Sequence, residues 1–521
     1  MNALTSPGSL LTALTPELVL IAGAMVLLLV TVWRPQGNAR GSAEGAELTA
    51  GIARLSTMLC VAVAVVVIIA WGDEARGTPD QRIAGDGFRW AVDLILLAAT
   101  SIALVFIEAD HEHNSVYSPE TPVLVLFALA GMMVLVAARD LMLVFLGLEL
   151  MSLSVYVLAG VNRRSARGAE AAMKYFLLGA FSTGFLLYGM ALVFGAAGST
   201  RFVDIADWIS SHAALSPMML AGLGLLLIGF SFKVALAPFH LWTPDVYDGA
   251  PLPVTAFMSA AVKTAAFAAF ARAMAEPLAG AVTWWHPVLW WLAVATMIAG
   301  NVLALTQQNL VRVLAYSSIA HAGYLLVAIV VASAAGTASL VFYALSYTLA
   351  TMGAFGVLIS IREGREGSPV RSDLAGLWHS RPALAAAMAV SVLALMGMPL
   401  VGGMGFFAKW YLLQAALQAT AAQTVLAVIV VLCSAVSAAY YLPIIAAMFM
   451  QSRPAGHAVR GTANLSDLIV IGAALLLLAM GVYPTSAARL ARRATMSTFL
   501  QVQDPETAAP RAALRPTRHL R

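Results

Sequence analysis

Residues 217–238 read PMMLAGLGLLLIGFSFKVALAP, and the fold is decided by how this stretch is read. It is an apolar run of the length at which an α-helix crosses the roughly 30 Å hydrocarbon core of a bilayer, about 20 residues. Yet it holds a lysine, Lys233, and breaks at Ala237-Pro238. Proline removes a backbone donor and kinks a helix. A charge at mid-bilayer costs at least about 2.5–3.5 kcal/mol on insertion scales. A span with both features is built around a task.

Similar runs extend to either side. They lie near residues 14–33, 52–71, 90–107, 121–138, 141–160, 170–195, 254–275, 287–305, 311–332, 338–361, 383–412, 424–450 and 466–484. Of the 521 residues, 61% are hydrophobic and 11% charged, with a mean hydropathy of +0.85. Soluble domains carry about 25% charged residues, so lipid is the solvent for much of this chain. In hydrocarbon every backbone polar group must be bonded within its own segment or in a closed barrel. Barrel strands alternate over about 10 residues, and these runs do not. The expected fold is an all-α polytopic membrane protein of about 14 transmembrane helices. No basic residue precedes the first run (Leu14 to Trp33), so it reads as a retained span and not as a cleaved signal peptide.

Orientation follows from Lys and Arg in the short loops. One set of loops carries Arg34, Arg40, Arg54, Arg163, Arg164, Arg167, Arg312, Arg362, Arg365, Arg371, Arg381, Arg453 and Arg460. The other carries Arg76, Arg82, Arg89, Arg139, Arg201 and Arg272. Thirteen against six places the first set inside and the N-terminus outside. The seven arginines after residue 485 then lie outside, against the trend. Residues 201–212 read as a short amphipathic segment along the outer surface.

Cys60 and Cys433 are far apart, each within an apolar run, and suit no iron–sulfur, haem or zinc spacing. No glycine-rich turn follows a strand-like segment, as a dinucleotide site requires. The chain is expected to carry no cofactor of its own and no metal. Its chemistry would be movement of charge.

The chain has 26 arginines and four lysines, and three of the lysines, Lys233, Lys263 and Lys409, fall within apolar runs. No arginine does so away from a span end. Arginine stays protonated under nearly all conditions, whereas a buried lysine can lose its proton near neutrality. Three intramembrane lysines therefore point to a proton relay. Glu149, in LGLELMSL (146–153), is the matching anion. Pairing Glu149 with Lys233 would hold a proton on the lysine, and separating them would release it. The competing reading is a set of structural salt bridges, or lysines near span ends that snorkel to the interface.

Lys233 precedes Ala237-Pro238, and Lys409 follows GMPLVGG (397–403), so the seventh and twelfth spans are both broken. Broken helices at matching places in two halves point to an inverted-repeat transporter. The expected organisation is an N-terminal three-helix segment (1–120), repeats at 121–275 and 287–450 (helices 4–8 and 9–13), and a last span at 466–484. A basic tail, 485–521, is expected to be largely disordered. His321 lies in the span matching that of Glu149; it could link two half-channels or simply pack. His240 and Asp245 flank the first break and are candidates to line an inner entrance. His111 and His113 make a poor metal signal.

Three stretches carry a family resemblance: FSFKVALAPFHLWTPDVYDGAP (230–251), KYFLLG (174–179) and AHAGY (320–324). With the contexts of Glu149 and Lys409, the chain resembles the N-type antiporter-like membrane subunits of respiratory NADH:quinone oxidoreductase (complex I) over roughly residues 120–450. The resemblance implies a fourteen-helix fold shared with the related pumping subunits and with multisubunit cation/proton antiporters. It implies a Glu on helix five and lysines on helices seven, eight and twelve, which Glu149, Lys233, Lys263 and Lys409 match. The related M-type subunit is expected to carry Glu on helix twelve, and the L-type to end in a long lateral helix, which nothing after residue 485 suggests. Also implied are NADH, FMN, iron–sulfur clusters and quinone in partner subunits, and contact with a neighbouring antiporter-like subunit. The implied setting is a bacterial inner membrane, with lipid around the chain and no nucleic acid. A sodium/proton antiporter subunit would use the same residues, and a purely structural subunit would keep them as silent ion pairs.

Overall fold

The computed structural model describes residues 7–33, 43–72, 81–114, 116–362, 367–452 and 464–503. Arg34, Arg40, Arg76, Arg365, Arg453 and Arg460, which enter the orientation count, lie outside the described residues, as do residues 504–521 of the basic tail.

The described chain is helical, with three isolated β-bridges (Ile83 to Ala138, Asp140 to Arg201, Asn309 to Val370) tying loops together. A short α1 (Pro7–Ala13) leads into α2 (Thr15–Trp33), α3 (Ala43–Gly72) and α4 (Gly87–Asn114). Then come α5 (Glu120–Ala137), α6 (Leu141–Ala159), α7 (Ala166–Ala197) and a surface helix α8 (Phe202–Ser211). The first broken span is α9 (Pro217–Lys233) with α10 (Trp242–Gly249). Next are α11 (Leu252–Phe257), a π-turn at Met258–Val262, α12 (Lys263–Ala275), α13 (Val282–Leu305), α14 (Leu310–Val330) and α15 (Ala334–Arg362). A short α16 (Leu377–Ser380) precedes the second broken span, α17 (Pro382–Met396) and α18 (Met404–Leu417). The chain closes with α19 (Ala421–Met450), α20 (Leu465–Val482) and α21 (Pro484–Gln503).

Twelve helices among the described residues are long and apolar enough to cross a membrane, and α9 and α17 are shorter apolar helices. The expected runs fall on these fourteen helices; the two short ones are those that carry the breaks. Local signals explain the boundaries. Asp140, Ser165 and Ser216 each accept a hydrogen bond from a first-turn amide of α6, α7 and α9, and Asn309 accepts two at the start of α14. Helix α8 buries Phe202, Ile205 and Ile209, one face of the expected amphipathic segment. At its start Asp204 is held below the usual carboxylate range: partial burial alone would raise it, but hydrogen bonds from Arg201 and Ser199 outweigh that.

Burial sorts the helices. The α11–α12 span, α14 and α15 are almost wholly enclosed, whereas α2, α3, α7 and α20 keep most of their surface outward. The centre of the bundle is thus the place where Lys263 and His321 sit. Helices α5 and α6 meet backbone to backbone: a Cβ on Gly147 would lie 2.6 Å from the amide nitrogen of Leu135, and one on Gly131 would lie 2.4 Å from that of Met151. This contact fixes which face of α6 points inward.

One sequence expectation needs correction. Residues 484–503 form a helix, α21, where the basic tail was expected to be largely disordered. Its alanines explain it, because Ala487, Ala488, Ala491 and Ala494 are buried against the bundle. A Cβ on Gly87 would stand 2.9 Å from Ala494. Small residues let helices approach closely, and composition alone concealed that stripe.

Gly147→Val should break the α5–α6 contact. Overpacking of this kind costs typically about 1–3 kcal/mol, so the variant should show a lower thermal midpoint after detergent extraction. A wild-type midpoint would mean that the two backbones do not touch there.

Candidate functional site

Lys233 is the last residue of α9 and is 7% exposed. The break after it is tight. Ala235 takes a positive φ of 59°, and the Ala237 amide leaves the helix ladder to bond Thr296 Oγ1 at 2.9 Å. The Lys233 ammonium donates to Ser152 Oγ at 2.6 Å, and Ser152 donates in turn to the Leu148 carbonyl. The rings of Tyr156 and Tyr175 stand 5.6 and 5.8 Å from the ammonium, within the range of cation–π attraction. A narrow crevice lined by Tyr156, Ser182, Thr183, Gly229 and Lys233 opens beside it.

Glu149 is half-buried on α6 and accepts a hydrogen bond from Thr183 at 2.9 Å. The pairing expected between Glu149 and Lys233 is therefore not made in this state. Ser152, one turn further along α6, holds the ammonium in its place.

Lys263 follows the π-turn of its span and is 4% exposed. Single π-turns inside helices are frequent at functional sites. Its ammonium donates to the Ser318 carbonyl at 2.6 Å and also to Ser318 Oγ, which receives the Tyr347 hydroxyl at 2.9 Å. His321, one turn on from Ser318 in α14, is buried, with its Nδ1 2.8 Å from the Tyr343 hydroxyl. Its ring centroid is 5.0 Å from that of Tyr347 and 5.5 Å from that of Tyr324.

Lys409, in α18, completes the line. Its ammonium lies 4.6 Å from the Tyr324 ring and donates to the Met396 carbonyl and Ser434 Oγ, both at 2.9 Å. Met396 ends α17, so its carbonyl is one of those a helix end leaves free. Gly397, at a φ of 76°, turns the chain there. Tyr324 is anchored by Asn301, which also accepts from the Tyr440 hydroxyl.

Between Lys233 and Lys263 the connection is aromatic. Tyr156 meets Tyr175 edge-on at 4.7 Å, Tyr175 stacks on Trp242 at 4.5 Å, and Trp242 meets Tyr247 at 6.4 Å. The Tyr247 hydroxyl faces Ser318. The structure thus brings Lys233, Lys263, His321 and Lys409 into one line of contacts. Sequence reasoning missed its connectors: Ser152, Ser318, Ser434, Asn301 and the tyrosines. The signal was present, since a buried tyrosine hydroxyl usually needs a partner and Asn301 interrupts an apolar run.

His240 is 7% exposed, and neither ring nitrogen has a hydrogen-bond partner among the described residues. The Asp245 side chain is 38% exposed. It accepts from Lys174 at 2.8 Å and Arg312 at 3.0 Å. Arg312, Arg167, Asn309 and Ser368 gather on Asp248 beside it.

At the opposite edge two arginines near span ends are buried. Arg89 is 0% and Arg272 is 1% exposed. Arg272 makes two bonds to Asp86 at 2.8 and 2.9 Å and one to Glu276 at 2.7 Å, and Arg139 joins both acids. Burial would raise the Asp86 carboxyl, but the Arg272 guanidinium outweighs this and holds it well below the usual carboxylate range. Sequence position had put these arginines with the loops; both lie instead within helices, Arg89 in the first turn of α4 and Arg272 in the last turn of α12. Among the described residues no group of His, Cys, Asp and Glu could hold a metal ion.

Known proteins resemble this chain in sequence and in fold. The sequence profile of the family described as NADH:quinone oxidoreductase/Mrp antiporter, TM, matches residues 138–436. The NADH-quinone oxidoreductase subunit N of Gemmatimonas aurantiaca is 64% identical over 510 residues, covering 98% of both chains. A chain of the respiratory complex I of Thermus thermophilus superposes with a TM-score of 0.73 at 35% identity, over 92% of this chain and 99% of that one. A chain of the Mrp complex of Dietzia shares the fold, with a TM-score of 0.76 at 21% identity, over 93% of this chain and 98% of that one. Sequence, fold and the line of buried lysines converge: this chain belongs to the NADH:quinone oxidoreductase/Mrp antiporter family of membrane proteins, among its N-type subunits.

Proposed function

We propose that this chain carries protons across a bacterial inner membrane as part of an NADH:quinone oxidoreductase, through a relay of Glu149, Lys233, Lys263, His321 and Lys409. One observation carries the reading. Each of the three buried lysines is held by serine oxygens, carbonyls or tyrosine rings, and none by a carboxylate. A lysine locked to a carboxylate keeps its proton; one solvated by hydroxyls can exist as ammonium or as free amine. This favours a relay over silent ion pairs, which would place an acid at each site. Glu149, one turn from Ser152, supplies the switch: drawn toward Lys233 it would hold the proton, and on Thr183 it leaves the lysine free to pass it on.

In this reading a proton crosses from Lys233 by way of Tyr247 and Ser318 to Lys263, and then past His321 to Lys409. Moving one charge against 100 mV requires about 2.3 kcal/mol, a load that coupled quinone reduction would supply. NADH, FMN, iron–sulfur clusters and quinone belong to partner subunits, and no redox step is assigned to this chain. Residues 121–275 and 287–450 act as two inverted repeats, each with one broken helix. His240 and Asp245 sit at the inner end of the first. A sodium/proton antiporter would use the same residues, and activity that requires sodium without partner subunits would favour it.

The first test is Lys233→Ala in inverted membrane vesicles, with proton pumping normalised to NADH oxidation and to assembled complex. Loss of pumping and of coupled turnover in an intact complex is expected; undiminished pumping would leave the chain as scaffold. Ser318→Ala should also slow coupled turnover. Hydrogen bonds to a buried charge contribute about 1.5–3 kcal/mol, so a fall of roughly tenfold or more fits their loss. Turnover equal to wild type would take Ser318 off the path. Orientation is checked at Ser211, at the exposed end of α8. A cysteine there should react with an impermeant maleimide from the outer face of intact spheroplasts, and reaction only from the inner face would invert the topology.

A further inference from the structure

Apart from the lysine line, a second set of titratable groups is sealed inside the chain near the start of α4. Glu17 from α2 is 1% exposed, and Arg89 and Asp93 on α4 are both 0% exposed. Arg89 gives one end of its guanidinium to Glu17 Oε1 at 2.6 Å and the other to the Ala84 carbonyl at 2.6 Å. Its carbon centre lies 4.1 Å over the Trp90 ring. Asp93 receives much less: Arg89 Nε stands 3.5 Å from Oδ2 without a hydrogen bond. Both Asp93 oxygens and Glu17 Oε2 are buried with no hydrogen-bond donor among the described residues.

The charges do not balance if both acids are ionised. Two carboxylates face one guanidinium, and among the described residues the other cation that reaches them, Arg272, is committed elsewhere. The charged groups that reach Asp93 are Arg89 on its own helix, Glu17 from α2 and Arg272 from α12. Arg272 and Arg139 are already matched by Asp86 and Glu276. An isolated carboxylate in a low-dielectric interior is so costly that the group takes up a proton instead. Two acids sharing one site cannot both ionise freely.

We propose that Glu17, Arg89 and Asp93 form a buried proton-binding site, separate from the lysine relay, with Glu17 ionised against Arg89 and the proton held on Asp93. Glu17 is the anion because it makes the short contact; Asp93 is the acid because no donor compensates its charge. The bound species is a proton and not a metal cation, since a guanidinium already occupies the centre of the site. Arg272 couples it electrostatically to α12, the helix that begins at Lys263.

The test is infrared spectroscopy of the purified complex, grown with aspartate isotope-labelled at its side-chain carboxyl. Wild type should show a protonated-aspartate carbonyl band that is lost in Asp93→Asn. It should be lost in Glu17→Gln as well, because Asp93 then becomes the one anion available to Arg89. Both variants should assemble, since each keeps one carboxylate for the arginine. A labelled band unchanged by Asp93→Asn, or kept in Glu17→Gln, would overturn the proposal. So would failure of both single variants to assemble, because both acids would then be needed in their charged form.

Discussion

A cation inside hydrocarbon must be solvated by the protein that carries it, and the rest of this structure is arranged around that constraint. Lys233 ends α9, where the partial negative charge of a helix C-terminus favours a cation. Lys409 takes a carbonyl that exists as a free acceptor only because α17 stops at Met396. Lys263 uses a carbonyl of α14 together with the hydroxyl of the same serine. Two of the three lysines thus sit at an interrupted helix; at Lys409 the interruption supplies a hydrogen-bond acceptor, whereas Lys233 takes the Ser152 hydroxyl of α6.

The arginines follow the opposite rule. The buried ones are matched to carboxylates, as with Asp86 and Glu276 around Arg139 and Arg272, where three separate stretches of chain bring two acids and two guanidinium forks together. Paired guanidinium groups cannot be deprotonated, so such clusters fix geometry and do not relay. The same protein therefore separates two uses of positive charge. One is neutralised by carboxylates, near the helix ends; the other is solvated by hydroxyls and carbonyls, along the centre.

Much of this was legible in the sequence. Spans of lipid-crossing length, the lysines within them and the breaks at Ala237-Pro238 and Gly397–Gly403 are local properties of the chain, and they fall where composition put them. What could not be read was anything set by contact between distant segments. Ser152 lies within hydrogen-bond reach of Lys233 only because α6 and α9 pack around α7. Arg272 meets Asp86 from a position far away in the chain. The helix α21 was hidden by its charge, since its arginines suggested solvent while its alanines were spaced to bury one face. Glu149 was expected to pair with Lys233, and its partner in the structure, Thr183, carried no signal of its own.

The rim formed by Asp86, Arg139, Arg272 and Glu276 bears on how the molecule can move. It joins the ends of α4, α5 and α12, helices from the N-terminal segment and from the first broken-helix unit, through bonds that low dielectric makes strong. Transporters that rock one bundle against another need a seam along which the two can slide. Riveted at this edge, the N-terminal segment and the first broken-helix unit would move together. Access within that joined unit would then change hands by short swings of side chains and half-helices.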